Sequence, residues 1–122
     1  MPRYADGFLI AVPRRKLADY RRISQKAGKV WKEHGALEYI ECVGDDLKIK
    51  MGMGTPFTKA ARTRAGETVI FSWILYKSKG DRDRINKKVI ADPRLANMMD
   101  PKSMPFDMKR MTYGGFRTIV DL

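Results

Sequence analysis

Residues 67–77, ETVIFSWILYK, constrain the fold more than any other stretch of this chain. The run is dense in β-branched and aromatic side chains and holds no glycine or proline, so it reads as a strand. Alternation puts Val69, Phe71, Trp73 and Leu75 on one face and Ile70, Ser72, Ile74 and Tyr76 on the other. Both faces are apolar, and a sheet built around such a strand needs cover on both sides. Helices can cover one. The other is expected to be covered by a second copy of the chain, sheet against sheet. The strand therefore predicts a homodimer.

The remaining elements fit around it. Residues 4–12, YADGFLIAV, read as a first strand, and Pro13 suits the first turn of a helix. From 14 to 34, Leu17, Tyr20, Ile23, Ala27, Val30, Trp31 and His34 recur at helical spacing, and Gly35 is a left-handed stop. Residues 36–43 read as a second strand. Residues 47–66 are rich in glycine and threonine and hold no acid; they read as a long loop, with or without an extra ribbon. SKGD at 78–81 is a capping-box pattern opening a helix to about Ala91, where Pro93 stops or restarts it. A last strand spans about 110–120. The order strand, helix, strand, strand, helix, strand is a ferredoxin-like α+β arrangement, with an antiparallel sheet and helices on one face. At 122 residues the chain makes one domain, residues 1–122, with 47–66 as a basic loop or insertion.

The same order belongs to RNA-recognition motifs, and the chain is basic: 25 Lys and Arg against 14 Asp and Glu give a net charge of +11. Those motifs carry their long glycine–aromatic signature on the third strand. Here the third strand has no glycine, and YGGF at 113–116 lies on the fourth. Tyr113 and Phe116 are three apart and face opposite ways; Gly114 and Gly115 mark a bulge or a close backbone approach. Polyanion binding is instead expected, if anywhere, through Arg14, Arg15, Arg21, Arg22, Lys26 and Lys29 of the first helix and through Lys48, Lys50, Lys59, Arg62 and Arg64 of the loop. One cysteine excludes an intrachain disulfide. The apolar run FLIAV is too short for a signal peptide, and nothing approaches a membrane span, so the protein is expected to be cytoplasmic.

His34 is the only histidine, hence the only side chain that titrates near neutrality unperturbed. It reads either as a general base or as a cation at the carboxyl end of the first helix. Glu41 is the other candidate acid or base; the alternative is a salt bridge at a rim or interface. Its neighbour Cys42 faces the opposite side and reads as a small buried hydrophobe or a nucleophile. Asp45 and Asp46 are too few ligands for a strong cation site, and no metal or cofactor is expected. Asp107, Lys109, Arg110 and Tyr113 form a dense polar cluster. Tyr113 and Trp73 either line a ligand pocket, with Arg110 gripping an anionic group, or the cluster is structural: Asp107 and Arg110 pin the loop to the sheet and Tyr113 packs at the dimer seam. Met98, Met99, Met104, Met108 and Met111 read as core filler.

YADGFLIAVP, WKEHGALEYIECVGDD, VIFSWILYKSK, ADPRL and MPFDMKRMTYGGFRTIVD resemble, block after block, the YbaA-like bacterial proteins, domain-of-unknown-function family 1428. The resemblance implies a ferredoxin-like protomer in the dimeric α+β barrel superfamily and implies no reaction. The basic loop and Met108 depart from the family pattern. Superfamily relatives place pockets between helices and sheet, an analogy at the level of fold. Three functions stay open: a dimer that binds or transforms a small anionic or aromatic molecule in such a pocket, a polyanion-binding protein, and a dimeric scaffold without chemistry.

Overall fold

The computed structural model describes every residue except 50, 51 and 99. Strand β1 spans Tyr4–Pro13, helix α1 Leu17–Glu33, β2 Glu38–Val43, the short helix α2 Phe57–Ala60 and β3 Glu67–Tyr76. Helices α3, Lys79–Ala91, and α4, Pro93–Met98, precede β4, Thr112–Arg117. The strands form one sheet in the order β2-β3-β1-β4, every neighbour antiparallel. This is the ferredoxin-like α+β fold, with β3 and β1 as the central pair.

Local chemistry sets the helix ends. Pro13 closes β1 rather than opening the helix, and a 3-10 turn, Arg14–Lys16, leads into α1. His34 is the C-cap of α1, and Gly35 takes the left-handed φ of 117° that ends it. At α3 the Ser78 hydroxyl accepts the Asp81 N–H at 3.1 Å, the capping bond its sequence predicts. Pro93 restarts the chain as α4 rather than stopping it.

Register assigns the faces. Ile10 and Val12 of β1 and Ile70, Ile74 and Tyr76 of β3 meet Tyr20, Val30, Ile85, Val89 and Leu95 from the helices. Each aliphatic side chain so buried contributes about 1.5–3 kcal/mol. A polar cluster crosses this core. Asn86 of α3 accepts from Trp31 Nε1 and Tyr76 Oη, each at 3.0 Å, and donates to Asp6 Oδ2 at 3.2 Å. One side chain thus ties α1, α3, β1 and β3 together. Asp6 also faces Arg82 Nε at 3.6 Å, and the Arg82 guanidinium lies 4.8 Å above the Tyr4 ring.

The opposite face carries the odd-numbered residues of β1 and β3. There Phe71 is 47% exposed, Phe116 63% and Ile40 37%, an apolar surface that no helix larger than α2 covers. The 47–66 segment folds back over its end: Phe57 of α2 meets Phe71 edge-on at 5.8 Å. No ribbon forms among the described residues of that segment. Strand β4 is shorter than its expected span: it starts only after a 3-10 turn, Met108–Arg110, and ends at Arg117. Its glycines mark no bulge, since pairing with β1 runs unbroken from Tyr4–Arg117 to Leu9–Thr112. What approaches Gly115 is side chain and not backbone: a Cβ there would collide with Tyr4 Oη and lie 2.7 Å from Arg82 Nη2.

Candidate ligand-binding site

Between the helices and the sheet lies a cavity of about 170 Å³. Phe8 and Ile10 of β1, Ser72 and Ile74 of β3, and Tyr39 and Glu41 of β2 form its floor. Helix α1 supplies Tyr20, Ser24, Ala27 and Trp31. Leu95 and Met98 of α4 and the 104–111 segment close the far wall. Almost all of this lining is apolar, and among the described residues Glu41 is the only charged one in it.

Glu41 is held from both sides. Tyr20 Oη donates to Oε1 at 2.7 Å and Tyr39 Oη to Oε2 at 2.9 Å. Strand pairing places Glu41 opposite Ser72, and Tyr39 two residues back shares its face. Burial, reinforced by the adjacent carboxylate, pushes both tyrosine hydroxyls far above their ordinary range, so they remain donors. An ionised carboxylate offers about four lone-pair sites, and the two tyrosines fill two. The arrangement can accept a further hydrogen bond, or take a proton from a bound molecule. The same residues also border a broad open groove between α1 and β2.

The residues expected from sequence scatter. His34 Nε2 pairs with Asp92 Oδ2 at 3.0 Å, at the end of α1, outside the cavity. Arg94 and His34 together hold the Asp92 carboxyl well below the usual range. Trp73 and Tyr113 do not share a pocket. Trp73 borders the cavity, but its indole turns to the open face, where Nε1 bonds Glu38 at 3.2 Å, whereas Tyr113 is outside the lining, pairs with Phe8 and stacks on it at 6.0 Å on the helix side. Arg110 grips no open anion site: it bonds both Glu67 oxygens, at 2.8 and 2.9 Å, and the Arg62 carbonyl at 2.7 Å. The Asp107 carboxylate accepts the Lys109 N–H and caps the 3-10 turn. Cys42 is exposed and is not a buried hydrophobe. Among the methionines, Met98, Met104, Met108 and Met111 line the cavity, while Met99 falls outside the described residues.

Arg21, Arg22 and Lys29 follow one flank of α1 along the open groove, and Arg22 also pairs with Asp19 at 3.4 Å. Lys26 is exposed on the same helix, as are Arg14 and Arg15 in the preceding turn. The Arg14 N–H donates to Gly66 O at 2.8 Å, so this turn adjoins the end of the basic loop. Lys50 lies outside the described residues. Among the described residues no group of three or more His, Cys, Asp or Glu is placed to hold a metal ion, and no helix is long and apolar enough to cross a membrane.

Sequence reasoning missed Tyr20, Ser24, Gly28 and Tyr39 as site residues. A signal was present: residues 20, 24 and 28 recur every four positions on the inward side of α1, and two of them are too small to fill the space they face. Gly28 is required there. A Cβ at this position would lie 2.6 Å from Cδ1 of the Tyr39 ring.

The Arg110–Glu67 pair has a pH signature. Hydrogen bonds from Arg110, with help from the Arg64 N–H, hold the Glu67 carboxyl at about 2 against an ordinary 4.5. Its folded pKa is depressed, so its contribution to stability is full above pH 4.5 and is lost as pH falls toward 2. In urea titrations, Glu67→Gln should therefore be less stable than the parent at pH 6, and the gap should shrink steadily below pH 4.5. A gap constant down to pH 2.5 would contradict this.

The sequence matches the family described as "Protein of unknown function (DUF1428)" over residues 3–108. It is 45% identical over 119 residues to the uncharacterized protein YbaA of Escherichia coli K12, covering 98% of each chain. Among solved structures it resembles a dimeric ferredoxin-like protein from an uncultured marine organism, with TM-score 0.57, 10% identity and all of both chains covered. It also resembles a NIPSNAP family protein of unknown function from Agrobacterium tumefaciens, with TM-score 0.56, 13% identity, and 96% and 87% of the two chains covered. At these identities the structures share the fold.

Proposed function

Because the chain belongs to the DUF1428 family, whose description names no reaction, we propose its function from its own geometry: a homodimer that binds a small, largely apolar molecule in the cavity between helices and sheet. One observation carries the reading. A carboxylate set among apolar walls costs stability unless it is compensated, and Glu41 is compensated by two tyrosines that leave half its acceptor capacity open. Among the described residues no lysine or arginine lines the cavity, which argues against an anionic ligand. Ring-sized probes such as toluene should raise the melting temperature in proportion to the logarithm of their concentration. Failure of every such probe to bind would overturn the reading.

The dimer rests on the open sheet face. Leaving Phe71 and Phe116 in water forgoes much of their burial energy, and a second copy of the same face is the cover the strand pattern calls for. The dimeric ferredoxin-like relative in fold agrees with this. Sedimentation at micromolar concentration should give about 28 kDa, twice the 14.0 kDa chain, and Phe116→Asp should return the monomer mass. A parent protein that sediments as a monomer would sink the dimer. The polyanion reading keeps the basic flank of α1 and its contact with the loop, but α1 presents no exposed aromatic side chain on which bases would stack.

A further inference from the structure

We propose that the ligand class of this cavity is a neutral single-ring phenol, its hydroxyl donating to Glu41. The inference rests on the cavity being a binding site and goes further by naming what it selects. Size is the first constraint. A dry cavity of about 150 Å³ holds one benzene ring, so 170 Å³ matches one six-membered ring with a small substituent.

Wall chemistry is the second. Phe8 and Trp31 offer aromatic surfaces, and Met98, Met104 and Met111 offer polarizable thioethers that pack well against ring edges. The third constraint is the balance of donors and acceptors. Tyr20 and Tyr39 spend their protons on Glu41, so the carboxylate itself offers acceptor capacity and one negative charge, while the Ser24 and Ser72 hydroxyls are the small donor–acceptor groups elsewhere in the lining. A ligand must bring a donor. A carboxylate ligand brings only acceptors and a like charge. The cations Arg21, Arg22 and Lys29 stand in the outer groove and not in the cavity lining, so they do not offset that repulsion at the ring. An ammonium would bring the right charge, but it needs several acceptors to replace its water, and among the described lining residues Glu41 is the only charged group. A phenol needs one acceptor and buries the rest of its surface against the walls.

The test titrates p-cresol, toluene, benzoate and benzylamine into the whole protein, read by the NMR shift of the Trp31 indole N–H. Cresol and toluene have nearly the same shape, so their ratio isolates the hydroxyl. Cresol should bind about tenfold tighter than toluene, as a hydrogen bond to a charged acceptor implies. Benzoate should not compete. In Glu41→Gln the ratio of cresol to toluene affinity, measured within that variant, should fall to about twofold or less. Toluene binding without a cresol preference in the parent protein overturns the phenol assignment and leaves the pocket standing. Benzylamine or benzoate binding tighter than cresol also overturns it, in favour of charge recognition. Failure of all four removes the pocket reading itself.

Discussion

Asp6→Ala should lower stability by about 2–3 kcal/mol, which for a chain of this length is a fall in melting temperature of about 8–12 °C. Asp6 is 6% exposed, and its carboxylate is the acceptor at which Asn86 and Arg82 converge. Removing one partner of a buried charge pair usually costs about 3–5 kcal/mol, because the remaining charge is left without compensation. The lower figure applies because the Arg82 side chain is still 24% exposed and also meets Asp83 at 3.4 Å. Asp6→Asn keeps an acceptor for Asn86 and should lose about half as much. The double variant Asp6→Ala, Arg82→Met should be more stable than the sum of its parts, since it removes the orphaned charge as well. Strict additivity in urea denaturation would show that the two groups do not interact.

That network shows where a sequence stops being legible. The two-faced β3 strand, the helical stripe of α1 and the Ser78 cap are local patterns, and each appears in the structure where its pattern put it. Asp6, Asn86 and Arg82 carry no such pattern. Asp6 is one acid at the start of an apolar strand, and its partners lie about 80 residues away. Only the register of β1 against β3, and the seating of α3 over both, bring them together. The candidate site divides in the same way. That Glu41 and Cys42 face opposite sides follows from strand parity. That Glu41 meets Tyr20 depends on how α1 lies across the sheet, which parity does not fix. Trp73 and Tyr113 read from sequence as a pair that could line one pocket, yet parity and register together put them on opposite faces. Asp107 and Arg110 read from sequence as either pocket or pin; Arg110 has its guanidinium committed to Glu67, a partner 43 residues back.

Gly28→Val should destroy the site while the rest of the fold survives. Two effects compete at this position. Replacing a mid-helix glycine by alanine normally stabilises by about 1 kcal/mol, because glycine has more backbone freedom to lose. Against that stands the Tyr39 ring, 2.6 Å from where the new Cβ would sit. The ring has little room to yield: its hydroxyl is bound to Glu41 at 2.9 Å and Trp31 packs beside it at 5.9 Å. Overpacking of this kind costs about 1–3 kcal/mol, enough to cancel the helix gain for alanine and exceed it for valine. Valine adds two further carbons and has a poorer helix propensity, so a net loss of about 2 kcal/mol is expected. The relief available is for Tyr39 to swing outward, and that breaks its bond to Glu41. Ring-probe binding should then fall by about tenfold or more, far beyond what the stability loss explains, because the Tyr39 ring that forms part of the cavity floor is displaced. Gly28→Ala serves as the graded control, with near-parental stability and an intermediate loss of binding. If valine at this position left both the melting temperature and probe binding unchanged, Tyr39 would have a second resting place and Gly28 would not shape the cavity.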